Sequence, residues 1–396
     1  MMLLVKYIVL ALTYLGLGLG YLPALRMNRA TIAIAGSAFM VALGVLNLQE
    51  AWQSIDPGTI VFLLGMMVVN SCLGAAGFFQ LALGFFTRFA NSPLGILLAI
   101  TFGSGILSAL FLNDTTAILL TPLTLSLCRT LSINPLPYLL ALAGGTNLGS
   151  VATLSGNPQN ILIGSFSGIS YLEFARSLTP VAFICLIVQV GWLYWLYPEV
   201  RSFNPFPASP KIRYRLYKPL LIKSLLVAIG LLIAFLAGAP LAESAWIAAT
   251  FLFITRRLKP QRILKAVDWD LLAMFAGLFI ITKATQELGI LDDLTELVKA
   301  PPSLLGVTVV LSNLISNVPA VLVLQSMIPH GDTKAWLLLA AGSTLAGNLT
   351  LLGSVANLIV AELGGKQGYR LSFGQHLRFG LPLTLVTLVI AYFWIY

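Results

Sequence analysis

The chain contains one pattern of polar motifs twice, once in each half. In the first half Asn113-Asp114 is followed by Gly156-Asn157-Pro158-Gln159-Asn160. In the second half Ser316-Asn317 is followed by Gly353-Ser354-Val355-Ala356-Asn357. Two diverged copies of one unit constrain the fold strongly, because both copies are expected to form the same arrangement of elements.

An upstream pair of residues fits the same repeat. Asp56 precedes Gly65 by nine residues, and Asp268 precedes Gly277 by nine. The repeat therefore extends beyond the polar motifs into the apolar segments that carry them.

The composition places both copies in a membrane. The chain of 396 residues is 58% hydrophobic and 9% charged, which excludes an ordinary soluble domain. Its net charge of +9 is carried by short loops between apolar segments, an arrangement that sets membrane topology and does not indicate nucleic-acid binding. We expect a multi-pass protein of the cell inner membrane, surrounded by the lipid bilayer.

Hydropathy divides the chain into about ten transmembrane spans. They lie near residues 4–24, 31–48, 58–80, 134–164, 178–198, 219–238, 242–256, 269–288, 333–361 and 374–396. Two further apolar segments, 93–128 and 301–329, have polar residues near the middle, and we interpret each as a re-entrant hairpin. The predicted fold class is an all-α polytopic membrane protein with two inverted repeats, about ten transmembrane helices and two hairpins.

The charged loops predict how the repeats lie in the membrane. With five crossings and one hairpin in each half, most Lys and Arg fall on one face, which the positive-inside rule makes cytoplasmic. The first repeat is predicted at residues 1–200 with a cytoplasmic-side hairpin, and the second at 219–396 with an outer-side hairpin. Residues 201–218 form a basic cytoplasmic linker. Residues 1–24 also resemble a signal peptide, but we expect them to be retained because 220–238 needs a counterpart.

Irregular backbone within the membrane is costly unless it lines a buried or hydrated cavity. The two hairpin tips and two interrupted helices, at 156–160 and 353–357, supply four such breaks. Small residues at these places also allow close helix packing, but four breaks paired by the repeat favour an ion site. The candidate substrate- and ion-binding residues are Asn113, Asp114, Thr115, Asn147, Gly156, Asn157, Asn160, Ser316, Asn317, Asn348, Gly353, Ser354 and Asn357.

Two charged residues within the spans are candidates for ion coupling. A carboxylate at a helix centre costs about 2.5–3.5 kcal/mol on insertion scales, so Asp114 is expected to act as a cation ligand or proton acceptor. Lys283 lies roughly 21 Å along the span that begins near Trp269. It either faces the site, where it pairs with a carboxylate or attracts an anion, or extends outward toward Glu287.

Other kinds of chemistry are not indicated. The chain has no P-loop, nucleophile elbow, His-Glu-x-x-His or dinucleotide-binding motif, so neither ATP hydrolysis nor enzymatic catalysis is expected. The cysteines have no metal-ligand spacing, and His330 and His376 are expected in loops. We expect no cofactor and no metal site, apart from Na⁺ or H⁺ as the coupling ion.

At these residues the chain resembles the ion transporter superfamily of ArsB-type arsenite pumps, NhaD-type sodium/proton antiporters, citrate carriers and divalent-anion/sodium symporters. The residues that carry the resemblance are Asn113-Asp114-Thr115-Thr116, Leu120-Thr121-Pro122, Gly156-Asn157-Pro158-Gln159-Asn160, Ser316-Asn317-Val318-Pro319, Ala346-Gly347-Asn348-Leu349 and Gly353-Ser354-Val355-Ala356-Asn357. The resemblance covers nearly the whole chain. It implies a scaffold domain that forms a homodimer, a transport domain with two hairpins and two broken helices, and elevator-like alternating access.

The hairpin tips separate branches of the superfamily. In the dicarboxylate symporters both tips carry Ser-Asn-Thr, whereas this chain has Leu112-Asn113-Asp114 and Ser316-Asn317-Val318. An Asn-Asp tip is similar to that of the ArsB-type anion permeases. The resemblance thus implies a secondary transporter for a small anion, such as an inorganic oxyanion or a metalloid like arsenite, coupled to H⁺ or Na⁺. Two alternatives are an NhaD-type Na⁺/H⁺ antiporter and a membrane channel subunit that works with a soluble ATPase.

Overall fold

The computed structural model describes residues 2–20, 25–88, 90–202, 216–254, 259–290 and 292–396, without the side chains of 292–294. These residues form an all-α polytopic membrane protein. The helices are α1 (Met2–Leu19), α2 (Arg29–Ala42), α3 (Leu48–Gln53), α4 (Pro57–Ala76), α5 (Phe78–Thr87), α6 (Pro93–Leu110), α7 (Asn113–Thr130), α8 (Leu136–Ser150), α9 (Pro158–Ser167), α10 (Tyr171–Leu196), α11 (Lys218–Leu236), α12 (Leu241–Phe253), α13 (Pro260–Leu264), α14 (Trp269–Glu287), α15 (Asp292–Leu297), α16 (Pro301–Ile315), α17 (Asn317–Leu324), α18 (Thr333–Ala346), α19 (Val355–Lys366) and α20 (Phe373–Ile395). Within the described ranges, six helices are long and apolar enough to cross a membrane.

The predicted hairpins and interrupted spans are present as pairs of helices. The segment 93–128 forms α6 and α7, and 301–329 contains α16 and α17, with the two helices of each pair packed together. The span predicted at 134–164 is divided into α8 and α9, and that at 333–361 into α18 and α19. The first half thus has a hairpin followed by a broken helix, and the second half repeats that order.

The repeated aspartates Asp56 and Asp268 have the same local role. Asp56 precedes α4 and accepts a hydrogen bond from the backbone N–H of Thr59 at 2.7 Å. Asp268 precedes α14 and accepts one from the backbone N–H of Leu271 at 2.9 Å. Both are helix N-caps, which satisfy backbone donors that the first helical turn leaves free.

The repeated glycines mark two equivalent helix crossings between the halves. A Cβ atom on Gly65 of α4 would lie 2.7 Å from the backbone carbonyl of Ala245 on α12. A Cβ atom on Gly277 of α14 would lie 2.7 Å from the carbonyl carbon of Ala33 on α2. Small residues allow this close approach of helix backbones in a membrane. Helix α4 of the first half therefore packs against α12 of the second half, and α14 of the second half packs against α2 of the first.

We expect these two crossings to tolerate no larger side chain. Gly65→Val and Gly277→Val should each lower the free energy of unfolding by about 1–3 kcal/mol, because the added atoms overlap neighbouring backbone. Gly191→Val is the matched control, since a Cβ at Gly191 of α10 meets no atom within 4 Å. Thermal unfolding in detergent measures the effect. Equal midpoints for all three variants would contradict the close crossings.

Some predictions from the sequence concern residues outside the described ranges. These are most of the linker predicted at 201–218 and the basic residues at 256 and 257. The boundaries of the two repeats and their opposite orientation in the bilayer remain predictions.

Candidate functional site

The largest group of candidate residues surrounds one cavity of about 310 Å³, the central cavity. One wall comes from the start of α2 and the start of α14, and the other from the hairpin tips and the half-helices α9 and α19. The predicted residues that line the central cavity are Asn113, Asp114, Ser316, Asn317 and Ser354. Residues far apart in the sequence and drawn from both repeats therefore meet at one place.

Six helices begin at the central cavity. Four begin in the hairpin wall, where Asn113, Pro158, Asn317 and Val355 are the first residues of α7, α9, α17 and α19, and α2 and α14 begin in the opposite wall. The start of a helix carries about +0.5 of an elementary charge and has free backbone N–H groups. Six helix starts thus supply a positive partial charge of about +3.

The charged side chains of the central cavity offset that partial charge. They comprise one guanidinium, of Arg29, and three carboxylates, of Asp114, Asp268 and Asp270. Their formal charge is −2, so they offset about two thirds of that partial charge when all four groups are ionised. The carboxylate of Asp114 makes no hydrogen bond or ion pair with another described residue, so its charge is free to change without breaking a contact.

Asn147 holds both repeats together beside the cavity. Its Oδ1 accepts hydrogen bonds from the Nδ2 of Asn113 at 3.3 Å and the Oγ of Ser354 at 2.9 Å. Its Nδ2 donates to the Oδ1 of Asn348 at 2.8 Å and to the Oδ1 of Asn357 at 3.1 Å. Because Asn147 is buried, these bonds satisfy an amide that has no water to replace them.

The two broken helices are closed by equivalent asparagines. The Nδ2 of Asn160 donates to the carbonyl oxygens of Ser150 and Thr153, at 3.0 and 2.9 Å. The Nδ2 of Asn357 donates to the carbonyl oxygens ten and seven residues before it, Gly347 and Thr350, at 2.8 and 3.2 Å. Each asparagine thus pairs carbonyls that the helix break leaves without intrahelical donors.

The helix caps at the two breaks also cross between repeats. Asn157, the N-cap of α9, donates from Nδ2 to the Oγ1 of Thr344 at 3.2 Å. Ser354, the N-cap of α19, donates to the Oδ1 of Asn147. Thr344 and Asn147 occupy equivalent positions on α18 and α8, so the two contacts are related by the repeat.

Two side-chain oxygens at the hairpin tips have no partner. The Oδ1 atoms of Asn113 and Asn317 are buried and accept no hydrogen bond within the described structure. Asn113 and Asn317 are equivalent in the repeat and both line the central cavity. Unpaired buried oxygens are costly in a folded protein, and an amide oxygen can accept an O–H group or bind a cation.

The other predicted residues lie close by with different roles. Gly156 accepts the backbone N–H of Asn113 through its carbonyl oxygen at 2.9 Å, which fixes the first hairpin tip to the first break. Gly353 lies within the second break, where its N–H donates to the carbonyl of Thr350 at 3.1 Å. Thr115 lines a second cavity with Asn70 and Arg262, named here the side cavity.

Several residues of the site were not predicted. Arg29, Gln159, Asp268 and Asp270 line the central cavity. Asp268 belongs to the repeated pair seen in the sequence, so its position in the repeat was an available signal. His376 was expected in a loop, and this is wrong: it is buried in α20, where its Nε2 lies 3.1 Å from the carbonyl oxygen of Asn348.

Comparison with known proteins identifies the family. The sequence model of the citrate transporter family, CitMHS, matches residues 8–341. The chain belongs to this family. Its relatives include an uncharacterized transporter of Mycobacterium tuberculosis, 31% identical with 93% of this chain and 94% of the relative covered. The silicon efflux transporter LSI3 of Oryza sativa subsp. japonica is 30% identical, with 93% and 92% covered.

One solved structure has a similar fold to this citrate transporter family member. It is the YdaH transporter of Alcanivorax borkumensis, which superimposes with a TM-score of 0.61 at 14% identity. The match covers 100% of this chain and 97% of the YdaH chain. The chain is thus a multi-pass membrane transporter of the citrate transporter family.

In this family member Lys283 does not line the central cavity. Its Nζ lies 2.6 Å from the Oε1 of Glu287 one helical turn away, and both side chains are more than 40% exposed, at 42% and 48%. The role in coupling predicted for Lys283 is therefore not supported. The structure matches the alternative, in which Lys283 extends outward toward Glu287. The reason is that a long side chain reaches the more polar region where a carboxylate pairs with it.

We expect Lys283→Gln to leave transport nearly unchanged. Lys283 lines neither the central cavity nor the side cavity and its ion pair is exposed, so the rate of solute transport should stay within about twofold of the unsubstituted protein. Transport by reconstituted protein measures this. A loss of transport rate as large as that caused by substitution of Asp114 would show that Lys283 takes part in transport.

Proposed function

We propose that the chain is a secondary active transporter that moves a small oxyanion, or the protonated acid of that anion, together with a proton carried by Asp114. The observation that carries the proposal is the partial balance of charge in the central cavity, where six helix starts oppose side chains with a formal charge of −2. In such a site the protonation of one carboxylate decides which charge the site prefers.

The coupling follows from this balance. With Asp114 ionised, three carboxylates offset most of the positive charge of the helix starts and Arg29, and an anion gains little by entering the cavity. With Asp114 protonated the helix starts and Arg29 outweigh the remaining carboxylates of Asp268 and Asp270, so an anion binds more favourably. Proton and anion therefore favour each other's binding, which is the requirement for coupled movement.

The lining of the cavity also bears on the kind of solute. Citrate carries three negative charges and would meet three carboxylates and a single guanidinium. The unpaired Oδ1 atoms of Asn113 and Asn317 instead suit a solute that brings O–H donors. A metalloid hydroxide such as arsenous or silicic acid has such groups, and a relative at 30% identity is named a silicon efflux transporter.

An elevator movement fits the division of the walls. The hairpins and half-helices form one wall, and α2 and α14 form the other. The exposed rim residues Asn28, Asp268 and Asp270 lie beside the loops predicted to be cytoplasmic, so we assign this structure to the inward-open state. Movement of the hairpin wall past α2 and α14 would carry the bound solute to the other side.

A second candidate function is Na⁺/H⁺ antiport. The same unpaired oxygens of Asn113 and Asn317, with the ionised carboxylate of Asp114, are the oxygen ligands that a small cation prefers. Protonation of Asp114 would then expel the cation, and the two ions would move in opposite directions.

One experiment separates the two functions. Purified protein is reconstituted into liposomes that contain a pH-sensitive dye, and sodium is added alone, followed by arsenite, silicate, sulfate, phosphate and dicarboxylates one at a time. A change of lumenal pH that requires arsenite, silicate or another oxyacid supports the proposal. A change with sodium alone assigns antiport, and no change with any solute overturns both.

A further inference from the structure

Asp114 is shared by two cavities. The side cavity, about 310 Å³ in volume, is lined by Asn70, Ser71, Thr115 and Arg262 and lies between α4, α7 and α13. Asp114 and Asp268 line both this cavity and the central cavity. The carboxylate proposed to carry the proton is therefore reached from two sides.

The side cavity contains a buried amide without partners. Asn70 is 1% exposed, and neither its Oδ1 nor its Nδ2 makes a hydrogen bond within the described structure. A fully unpaired amide in an apolar helix such as α4 costs a few kcal/mol unless a polar ligand satisfies it, at about 1–3 kcal/mol for each group. The amide has both a donor and an acceptor, which is what a chain of water molecules requires.

The side cavity changes from exposed to buried along its length. Arg262 and Asp268 at one end are exposed, Ser71 and Thr115 are half-buried, and Asn70 is buried. Arg262 lies in the segment predicted to be cytoplasmic. Polar side chains thus continue from the exposed end to Asp114, alongside apolar ones.

We propose that the side cavity is a water-filled proton route to Asp114, separate from the central cavity that admits the solute. A proton passes from bulk water along hydrogen-bonded water molecules held by Asn70, Ser71 and Thr115, and binds a carboxylate oxygen of Asp114, so that hydronium becomes water and the carboxylate becomes a carboxylic acid. The charged groups that face Asp114 are Arg29 and Asp270 in the central cavity, Arg262 in the side cavity and Asp268 in both.

A separate route has a consequence for the order of binding. In a single cavity a bound solute would block water from Asp114, and the proton would have to bind first. With the side cavity open, Asp114 exchanges its proton while solute occupies the central cavity. This inference rests on the proposed role of Asp114 as the proton carrier. Whether the side cavity holds water is testable independently of that role.

The first test is chemical access. Ser71→Cys is made in a variant whose native cysteines, Cys72, Cys128 and Cys185, are replaced by alanine, and inside-out vesicles are treated with a charged, membrane-impermeant methanethiosulfonate. Asn28→Cys, at the exposed rim of the central cavity, is the positive control. Thr282→Cys is the negative control, since Thr282 is the buried counterpart of Asn70 on α14 and lines neither cavity. Labelling at position 71 supports the route, and labelling at position 28 alone overturns it.

The second test is function. Asn70→Leu should slow the arsenite-dependent change of lumenal pH roughly tenfold, because it removes the polar group that holds water. The equilibrium affinity for radiolabelled arsenite should be unchanged, and Thr282→Val should behave as the unsubstituted protein. An unchanged rate, or a loss of arsenite affinity with Asn70→Leu, overturns the proton route. If the unsubstituted protein shows no pH change with arsenite, silicate or another oxyacid, the proposed function fails, while the labelling result still decides whether the side cavity holds water.

Discussion

Asp114→Asn is expected to abolish proton-coupled transport while the protein stays folded. Asparagine has nearly the size and shape of aspartate but does not bind and release a proton near neutral pH. Because Asp114 contacts both cavities and pairs with no described residue, its substitution breaks no hydrogen bond in the structure. We expect the rate of solute-dependent proton movement to fall by about 100-fold or more.

The measurement is the change of lumenal pH in liposomes, with the thermal unfolding midpoint as a test of folding. Asp56→Asn is the matched control, because Asp56 caps the start of α4 and lines neither cavity. Asparagine is as good an N-cap as aspartate, so this variant should keep both transport and stability. Transport at the unsubstituted rate by Asp114→Asn would remove Asp114 from the mechanism.

Asn147→Leu is expected to destabilise the protein and to stop transport together. The substitution keeps the approximate volume but leaves four buried partners without Asn147: Asn113, Ser354, Asn348 and Asn357. Each unpaired buried group costs about 1–3 kcal/mol, so the free energy of unfolding should fall by at least about 3–5 kcal/mol. The first hairpin tip and the second broken helix would lose their common attachment to α8.

Thermal unfolding in detergent and transport in liposomes test this prediction. Asn134→Leu is the control, since the Nδ2 of Asn134 makes an exposed hydrogen bond with Glu199 at 3.1 Å. That exposed bond is replaced by water, and the control should lose less than about 1 kcal/mol. If Asn147→Leu unfolds at the same temperature as the control and still transports, the network does not hold the site.

Much of the fold follows from the sequence because its signals are repeated. The length of the apolar segments predicts the spans. The polar residues Asn113-Asp114 and Ser316-Asn317, which interrupt two of these segments at equivalent places, predict the hairpins. The repeat doubles each observation, so a weak signal in one half is supported by the other. The prediction of broken helices near Gly156 and Gly353 has the same origin.

The arrangement of the site depends on contacts that one sequence does not contain. Nothing in the sequence pairs Asn147 with Asn357, or Asn157 with Thr344, since these contacts join separate repeats. Arg29 was expected in a cytoplasmic loop and Asp270 at the start of a predicted span, and their place in the cavity depends on how α2 packs against α14. His376 was misplaced because it lies near the start of α20 beside the polar residues Gln375 and Arg378, where the apolar pattern of the helix has not yet begun.

The most direct test of the central claim is solute movement driven by a proton gradient alone. Liposomes with reconstituted protein are loaded with equal concentrations, inside and outside, of the solute that gives the pH signal. A pH difference of about one unit is then imposed without ATP, and the solute concentrations are followed. The account predicts net movement against the growing solute gradient, and no movement after a protonophore is added. Equal concentrations that persist despite the pH difference would contradict secondary active transport and would favour a channel subunit that needs an ATPase partner.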